Sequence, residues 1–431
     1  MSDSVYTRPP VQQSAMHGCP VTAMGSAFKP FTSPYIDDPY ALMAQARAEE
    51  PVFYSPEIDH WIVTRYADVK AILRDPQTFS SRMAQSPIQP WPQEAVEMFT
   101  AQNFNIRPVF SNNDPPSHAE VRAFTRDAFT PKRIKWLEPQ VRRLVNEAID
   151  KMIDRGSADL VKEVLYETPA RVLFTFLGIP EDHIEQVKTW SAGRAVLTWG
   201  KPTDDDIIGL MPNFIEYLQY CFDLVEARSK NPTDDYASEL VQKKATEQWD
   251  GITTPMIVIA IFGLLMAGHE TTTNQSSLGV RALLEHRDQW EAICADPSLI
   301  PNAVEEIIRY DSSVISWRRV ANRDVEVAGV TIPEGAQIMV MLGSANRDDA
   351  EFGNGGEFNI YRKRPQRHMS LGHGIHYCLG APLARLELRV FLEEFARRMP
   401  SLRLVEGQSY QYSPNTTHRG AQELWCEWNV T

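Results

Sequence analysis

A cysteine set among glycines and histidines is the part of this sequence best suited to chemistry. Residues 371–387 read LGHGIHYCLGAPLARLE and place Cys378 directly before a run of apolar residues at helical spacing. Pro382 in the first turn of that run and Pro400 after it are typical of a helix start and a helix end. Free backbone N–H groups and the helix dipole at such a start favour a thiolate over a thiol. The flanking glycines remove side chains where a large flat group would approach the backbone.

A thiolate facing a flat ligand suggests an axial ligand to haem iron. His373 and His376 are close in sequence, so a zinc site built from these two histidines and Cys378 is the rival interpretation. Zinc in proteins usually takes four ligands, and no fourth one is spaced nearby. The remaining cysteines are scattered and form no CxxC pair, which predicts neither a disulfide framework nor covalent c-type haem attachment.

The run LGHGIHYCLG resembles the haem-binding loop Phe-Gly-x-Gly-x-His-x-Cys-x-Gly of the cytochrome P-450 haem-thiolate monooxygenases. One position differs, because Leu371 stands where the family has Phe, which would alter packing beside the sulfur but not the ligand. The resemblance implies haem b as the cofactor and Cys378 as the iron ligand. It also implies a mainly α fold of the P-450 type: a large helical domain with a long central helix, the I helix, and a smaller β region.

A second motif lies in the middle of a predicted helix of about 30 residues that starts with the Thr-Pro pair 254–255, as N-cap and N1. The small residues Ala267 and Gly268 would leave room for a group against this helix; the alternative is a buried helix with tolerated glycines. The sequence AGHETT resembles the family's Ala/Gly-Gly-x-Asp/Glu-Thr-Thr/Ser oxygen-activation motif. The resemblance implies that Glu270 and Thr271 are catalytic and deliver protons during dioxygen cleavage.

A third motif is EEIIRY, in which Glu306 and Arg309 share one helix face and can form a charge-assisted pair. Alone, such a pair is usually a solvated surface contact. Its position resembles the family's Glu-x-x-Arg motif, whose third partner would be Arg362, with Asn359 replacing the more usual Asp. The resemblance implies a structural triad beneath the haem, without a catalytic role.

Four further side chains together resemble the family's clamp for the two haem propionates, although each alone is better interpreted as a surface charge. His118 and Arg122 lie on adjacent turns of one predicted helix, in a His-x-x-x-Arg pattern. Arg319 follows the Glu-x-x-Arg helix, and His376 lies two residues before the cysteine. Arg318 is an alternative to Arg319 at this position.

The same alignment of motifs predicts a substrate pocket that suits a small hydrophobic, aromatic compound. Its predicted residues are Phe104, Val196, Ala267, Gly268, Val314, Ile315 and Thr417.

The composition restricts the class of protein. With a net charge of −13 among 431 residues, the chain lacks the basic excess that nucleic-acid binding needs, so we expect no nucleic-acid partner. The longest apolar stretch, residues 256–268, is too short to span a bilayer, and the N-terminus lacks the pattern of a signal peptide. We therefore predict a cytoplasmic protein without membrane contact, with a flexible segment at residues 1–30 and a single haem-thiolate monooxygenase domain at 31–431.

Stretches such as WIVTRYADVKAILRD and ICADPSLIPNAVEE resemble the haem domains of bacterial self-sufficient enzymes, which carry a fused reductase. No such module follows here, so we expect a separate ferredoxin- or flavodoxin-type protein to bring electrons from NAD(P)H. It would dock near Cys378 on Lys132, Arg133, Lys135 and the basic run 362–367, unless these are only solvated charges. The implied reaction is hydroxylation or oxidative O-dealkylation, such as O-demethylation in aromatic-compound catabolism. The alternatives are a peroxygenase driven by hydrogen peroxide and a non-enzymatic haem sensor.

Overall fold

The computed structural model describes residues 21–191 and 193–430. Helices account for most of this part of the chain. In chain order they are α1 Ala23–Ala27, α2 Pro39–Glu49, α3 Tyr66–Arg74, α4 Gln93–Thr100, α5 Ser117–Thr125, α6 Pro131–Lys135, α7 Glu138–Met152, α8 Glu167–Leu177, α9 Ile184–Ser191, α10 Arg194–Trp199, α11 Asp204–Lys230, α12 Tyr236–Lys244, α13 Thr254–Glu285, α14 Arg287–Ala295, α15 Ile300–Tyr310, α16 Leu342–Ala345, α17 Asp349–Phe352 and α18 Ala381–Arg398.

The strands are short and belong to three small sheets. They are β1 Val52–Ser55, β2 His60–Val63, β3 Phe79–Ser80, β4 Ser157–Asp159, β5 Trp317–Ala321, β6 Val325–Val327, β7 Val330–Ile332, β8 Gln337–Val340, β9 Arg403–Leu404 and β10 Trp425–Glu427. The sheet orders are β1-β2-β8-β5-β3, β4-β10-β9 and β6-β7. β2 and β8 pair in parallel, whereas the other pairs are antiparallel.

The long helix α13 is the central element of the helical part. It has 32 residues, which corresponds to about 48 Å, and it packs against α8, α11, α15 and α18. Its N-cap is Thr253, one residue earlier than predicted, and Pro255 lies in its first turn. By length and composition α13 could cross a membrane, but 72% of its most apolar window is buried inside the protein. It is therefore a core helix.

The largest hydrophobic core lies among the helices, and two smaller clusters lie under the sheet β1-β2-β8-β5-β3 and the N-terminal helices. The predicted architecture, a large helical part with a long central helix and a smaller β region, is confirmed. Residues 1–20 of the segment predicted to be flexible lie outside the described residues. The rest of that prediction needs correction, because Met24 and Phe28 are buried in the core and α1 packs on β1.

Candidate active site

The cysteine loop is shaped by two glycines with left-handed backbone conformations. Gly372 has φ +71° and Gly374 has φ +70°, which a residue with a Cβ rarely adopts. A Cβ on Gly374 would also lie 2.6 Å from the carbonyl oxygen of Leu73, at the end of α3. The turn closes where the Cys378 N–H donates to the Leu371 carbonyl at 2.8 Å. Glycine is therefore required here for conformation and for close packing.

The sulfur of Cys378 lies just before α18, facing a large internal cavity. Burial raises the pKa of this thiol, whereas the backbone N–H groups of Gly380 and Ala381 and the charges of Arg122 and Arg385 lower it. Burial is the largest influence and leaves the pKa raised, and the four opposing influences, two of them from the helix start, limit the rise.

The predicted clamp residues His118, Arg122, Arg319 and His376 all line the same cavity as Cys378. The rings of His118 and His376 lie 4.2 Å apart, and the Ser81 hydroxyl is 2.9 Å from His376 Nε2. Burial lowers the pKa of His376 to about 2, with Arg319, His118 and Arg122 contributing in the same direction. The structure therefore brings together the four side chains on one wall, where no acidic side chain lines the cavity within the described ranges.

Arg319 and its neighbour Arg318 have different environments. Arg318 donates to the carbonyls of Ala84 and Ser86 and does not line the cavity. Arg319 donates to the Arg318 carbonyl at 2.7 Å and lines the cavity. This placement favours Arg319 over Arg318 as the cavity-facing arginine.

The donor set of this wall fits haem b. Burial lowers the pKa of Arg319 to about 10, and the charge of Asp114 opposes that shift only in part. The Asp114 carboxylate itself accepts hydrogen bonds from Ser80 and Ser81. Two propionates would compensate the buried cations, Cys378 would hold the iron, and the glycines give a flat group access to the loop.

The rival zinc site lacks a ligand set. No group of three or more His, Cys, Asp or Glu side chains that could hold a metal ion occurs in the part of the chain that the structure describes. His376 is instead next to His118 and Ser81.

The motif on α13 puts a hydroxyl on the cavity wall and a carboxyl close behind it. Thr271 lines the cavity, and its hydroxyl donates to the Ala267 carbonyl at 2.5 Å, four residues back. Glu270 is half-buried, and burial raises its pKa to about 7 while the charge of Arg194 opposes the shift. A carboxyl with a pKa near 7 can both release and take up protons near neutral pH.

A second buried carboxyl, Glu387 on α18, was not predicted from the sequence. It is fully buried, and neither carboxyl oxygen has a hydrogen-bond partner among the described residues. The neighbouring Thr272 hydroxyl lowers its pKa, but burial dominates and raises the pKa to about 8. Thr272 itself donates to the Gly268 carbonyl at 3.3 Å. A Glu on the apolar face of a helical run is a sequence signal that could have identified it.

We predict that Glu387 makes the stability of the protein depend on pH. The folded state keeps a proton that the unfolded chain releases above its usual pKa of 4.5, so stability falls as the pH rises from there toward about 8. Between about pH 6 and about pH 8 this loss is about 2 kcal/mol, or roughly 2 °C in Tm. Because glutamine does not titrate, the Tm of Glu387→Gln relative to the wild type should rise by that amount over this range.

The measurement is a series of thermal unfolding curves of the haem-loaded protein at several pH values. Glu94→Gln, at an exposed position of α4, is the matched control and should stay parallel to the wild type. A constant difference between Glu387→Gln and the wild type would contradict the prediction.

The three residues of the predicted structural triad lie in contact. Arg309 forms a bidentate pair with Glu306, with N–O distances of 2.7 and 2.8 Å, and both side chains are fully inaccessible. Arg362 Nε reaches Glu306 at 3.2 Å, and the Asn359 N–H donates to the same carboxylate at 2.8 Å. Both arginines also donate to loop carbonyls between residues 346 and 357. The triad therefore ties α15 to the segment that leads to the cysteine loop.

Three of the seven predicted pocket residues line the cavity: Ala267, Gly268 and Val314. Gly268 is also needed for helix packing, because a Cβ there would lie 2.5 Å from the Leu173 side chain of α8. The space that we predicted for a ligand at this glycine is thus shared with Leu173.

The predictions for Ile315 and Thr417 were wrong by one residue each. Val314 and His418 form an antiparallel bridge, and both line the cavity. Successive side chains in extended segments point to opposite sides, so Ile315 and Thr417 face away from the cavity. The Ile315 N–H donates to the Thr417 carbonyl at 2.9 Å, which holds the two segments in this register.

The predictions for Phe104 and Val196 were also wrong. Phe104 stacks on Phe222 with ring centroids 5.4 Å apart, in a separate surface groove. Val196 is two residues after Arg194 on α10, and residues at that spacing point to different sides of a helix. Arg194 rather than Val196 faces the cavity.

The sequence analysis missed most of the cavity wall, which comes from elements far apart in the chain. The additional apolar side chains include Phe110, Leu173, Trp199, Phe262, Leu264 and Trp317. The additional polar ones include Gln85, Arg194 and His418. No sequence spacing indicates these residues, since the fold alone brings them together.

The chain matches known proteins over almost its whole length. The family model described as Cytochrome P450 matches residues 51–400. The mycinamicin IV hydroxylase/epoxidase of Micromonospora griseorubida is 34% identical over 85% of this chain and 89% of its own length. The putative cytochrome P450 YjiB of Bacillus subtilis is 33% identical over the same shares.

Two solved structures superpose closely. The intact type IV self-sufficient cytochrome P450 monooxygenase is 39% identical with a TM-score of 0.92, and it covers 99% of this chain. This chain spans only 55% of that protein. The cytochrome P450 CREJ in complex with (4-ethylphenyl) dihydrogen phosphate is 38% identical with a TM-score of 0.90, covering 94% of this chain and 100% of CREJ. The chain therefore belongs to the cytochrome P450 family and is a haem-thiolate monooxygenase, which uses haem b and takes electrons from NAD(P)H through a redox partner.

Proposed function

We propose that this enzyme inserts one oxygen atom from dioxygen into a small hydrophobic, aromatic substrate, by hydroxylation or oxidative O-dealkylation. The observation that carries the proposal is the apolar lining of the cavity that Cys378 faces. It is formed by aromatic and aliphatic side chains, among them Phe110, Trp199, Phe262 and Trp317. Aromatic walls suit a flat ring, since stacked and edge-to-face ring contacts are both favourable.

The relative CREJ supports an aromatic substrate. Its structure contains an ethyl-substituted phenyl ring, and it matches 94% of this chain. An alkyl-substituted ring also has the apolar character of the cavity described above. We therefore expect alkylaromatic compounds and aromatic ethers to enter this site.

Glu270 and Thr271 are proposed as the proton-delivering pair. When bound, haem supplies the redox chemistry that activates dioxygen. The chain's own contribution is to hold a hydroxyl at the cavity wall and a carboxyl with a pKa of about 7 next to it in sequence. Because burial holds this pKa near neutrality, Glu270 can pass a proton to Thr271 and regain one from solvent.

His118, Arg122, Arg319 and His376 are proposed to bind the two propionates and so orient the haem. Their side chains supply cationic and hydrogen-bonding groups on one wall. The triad of Glu306, Arg309 and Arg362 is proposed to be structural, because both arginines share the Glu306 carboxylate and use their other N–H groups on loop carbonyls.

We infer that a separate ferredoxin- or flavodoxin-type protein delivers the electrons, and that it docks near Cys378. Tyr377 and Ile375 are exposed on the cysteine loop, and Trp136 is exposed at the end of α6, which packs on α18. Lys132 and Lys135 on α6 are exposed as well. Exposed apolar side chains with exposed lysines on the adjoining helix suit an acidic partner.

Three of the arginines predicted to dock the redox partner form ion pairs with other residues of this chain. Arg362 belongs to the buried triad, Arg133 pairs with Glu239, and Arg367 pairs with Glu351. These three arginines are thus poor candidates for contact with a partner. For its location we propose the cytoplasm, since α13 is a core helix.

The experiment that tests the proposal compares the wild type with Thr271→Ala on 4-ethylphenyl methyl ether, a neutral probe for both hydroxylation and O-demethylation. Electrons come from NADPH through a ferredoxin and its reductase, with a flavodoxin in parallel. Without the Thr271 hydroxyl, we expect product per NADPH to fall at least about tenfold. NADPH consumption should continue, and the electrons that no longer form product should appear as hydrogen peroxide.

Thr273→Ala is the matched control, since this threonine lies on the same helix and its hydroxyl donates to the Leu165 carbonyl. It should keep the wild-type ratio of product to NADPH. Oxidation that is driven by hydrogen peroxide and is insensitive to Thr271→Ala would show a peroxygenase instead. No oxidation of the ether by the wild type would contradict the aromatic substrate class.

A further inference from the structure

Arg194, the first residue of α10, is a buried cation without an acidic partner. Its side chain lines the cavity, although only 4% of the residue is exposed. No carboxylate lies within 4.0 Å of its guanidinium among residues 21–191 and 193–430. Its one hydrogen bond is a long contact of 3.5 Å from Nη1 to the Phe262 carbonyl, and Nε has no partner.

The guanidinium is held in position by an aromatic ring. It lies over the face of Phe262, with 4.2 Å between Cζ and the ring centroid. This cation–π contact uses the face of the guanidinium and leaves its N–H edge available for hydrogen bonds. Arginine stays charged in proteins, so the cost of burying it cannot be relieved by deprotonation. An anion that enters the cavity would relieve it.

Glu270 does not serve as a permanent counter-ion for Arg194. It is close enough for the two charges to interact, but they form no ion pair. Because burial raises the pKa of Glu270 to about 7, its carboxyl is partly protonated near neutral pH. Lys188, the other cation near this part of α13, already pairs with Glu167 and Glu185.

Two more hydrogen-bonding side chains line the same cavity. Both ring nitrogens of His418 lack a hydrogen-bond partner among the described residues, and its ring stacks on Trp199 with ring centroids 4.7 Å apart. Burial, with the charge of Arg194 next, lowers the pKa of His418 to about 4, so the ring is neutral and offers one N–H. Gln85 Nε2 donates to the Ser111 hydroxyl at 2.8 Å, whereas its Oε1, which can only accept, has no partner among the described residues and so cannot bind an anion.

These residues are distinct from the propionate wall. Arg194 contacts Phe262 and interacts electrostatically with His418, Glu270 and Cys221. The propionate wall instead involves Ser81, Asp114 and the cysteine loop. Arg194 and the cations of the propionate wall thus have different neighbours.

We propose that the aromatic substrate carries an anionic oxyacid group, a phosphate monoester or a carboxylate, and that Arg194 binds this group with the help of His418. This inference rests on the proposed aromatic oxidation and names its substrate class more closely. A guanidinium edge matches the paired oxygens of phosphate and carboxylate groups. The anion would thus fix which end of the ring points toward Cys378.

The test is calorimetric titration of the haem-loaded protein with three probes that share one ring: 4-ethylphenyl phosphate, 4-ethylbenzoate and 4-ethylphenyl methyl ether. We expect at least one of the two anions to bind about 10- to 100-fold more tightly than the neutral ether. The tighter anion identifies the head group. If the ether binds as tightly as both anions or more tightly, the anionic class is wrong while the aromatic proposal survives. If no probe binds, both proposals fail.

Variants then test the residue. Arg194→Gln should lose the preference for the anion, with the anion affinity falling about 10- to 100-fold and the ether affinity changing less than about threefold. Arg194→Lys keeps the charge but loses the paired N–H groups of the guanidinium edge. Its affinity for the anion should therefore lie between those of the wild type and Arg194→Gln. Lys201→Gln removes an exposed charge just after the same helix and should match the wild type. If Arg194→Gln weakens anion and ether equally, or neither, Arg194 has only a packing role or serves Glu270.

Discussion

Replacing Cys378 by serine is expected to abolish the thiolate-type spectrum of the ferrous carbonyl complex. A serine hydroxyl is not deprotonated under these conditions, so the N–H groups of Gly380 and Ala381 and the nearby arginines would have no anion to stabilise. Absorption spectra of the reduced, carbon monoxide-treated protein measure the loss. Haem content, determined separately, shows whether haem is still bound by the other cavity residues.

The matched control is Cys294→Ser. Cys294 is a free, half-buried cysteine in α14 that does not line the cavity, so its replacement should leave the spectrum unchanged. Cys221 and Cys426 are poorer controls because they are fully buried in the core. A thiolate-type spectrum that persists in Cys378→Ser would mean that the iron ligand is another residue.

The second large effect is expected for Glu306→Gln. This substitution removes the carboxylate from a buried pair and leaves the fully inaccessible Arg309 with an uncompensated charge, which costs about 3–5 kcal/mol. In a chain of this size that corresponds to a fall in Tm of roughly 5 °C. Thermal unfolding of the haem-loaded protein measures the fall. We also expect lower haem retention, because Arg362 and the loop carbonyls lose their common partner.

Glu147→Gln is the control for this substitution. Glu147 pairs with Arg143 on the exposed face of α7, and an exposed pair contributes about 0.5 kcal/mol or less. Its Tm should stay within about 1 °C of the wild type. If Glu306→Gln behaved in the same way, the triad could not be the structural link between α15 and the loop.

Much of the fold was predictable from the sequence because its signals are local. The Thr-Pro start and the apolar run of α13 predicted a helix of about 30 residues, and the structure has 32. Pro382 and the apolar spacing after Cys378 predicted α18. In contrast, residues 21–30 looked loose, but α1 is stabilised by packing on β1, a contact that no local pattern reveals.

Local patterns in the sequence indicated the parts of the site whose residues are close together in the chain, whereas the distant clamp and triad residues followed from the family resemblance. The cysteine loop and the Glu270–Thr271 pair are of the first kind, and so are the neighbours Glu306 and Arg309. Of the residues predicted for the pocket, Ala267, Gly268 and Val314 line the cavity and the other four do not. Ile315 and Thr417 are each one residue away from a cavity-facing position, because the bridge between Val314 and His418 sets which side chains face the cavity.

The sequence by itself determined the thiolate loop, the long helix with its acid–hydroxyl pair and the family to which they point, because each depends on residues within one turn or helix. Only the tertiary structure decided which side chains face the cavity. Within the part of the chain that the structure describes, it placed Arg194 over Phe262 without a carboxylate and buried Glu387 without a hydrogen-bond partner. Burial and the lack of a partner depend on contacts between elements far apart in the chain, and these contacts shift pKa values.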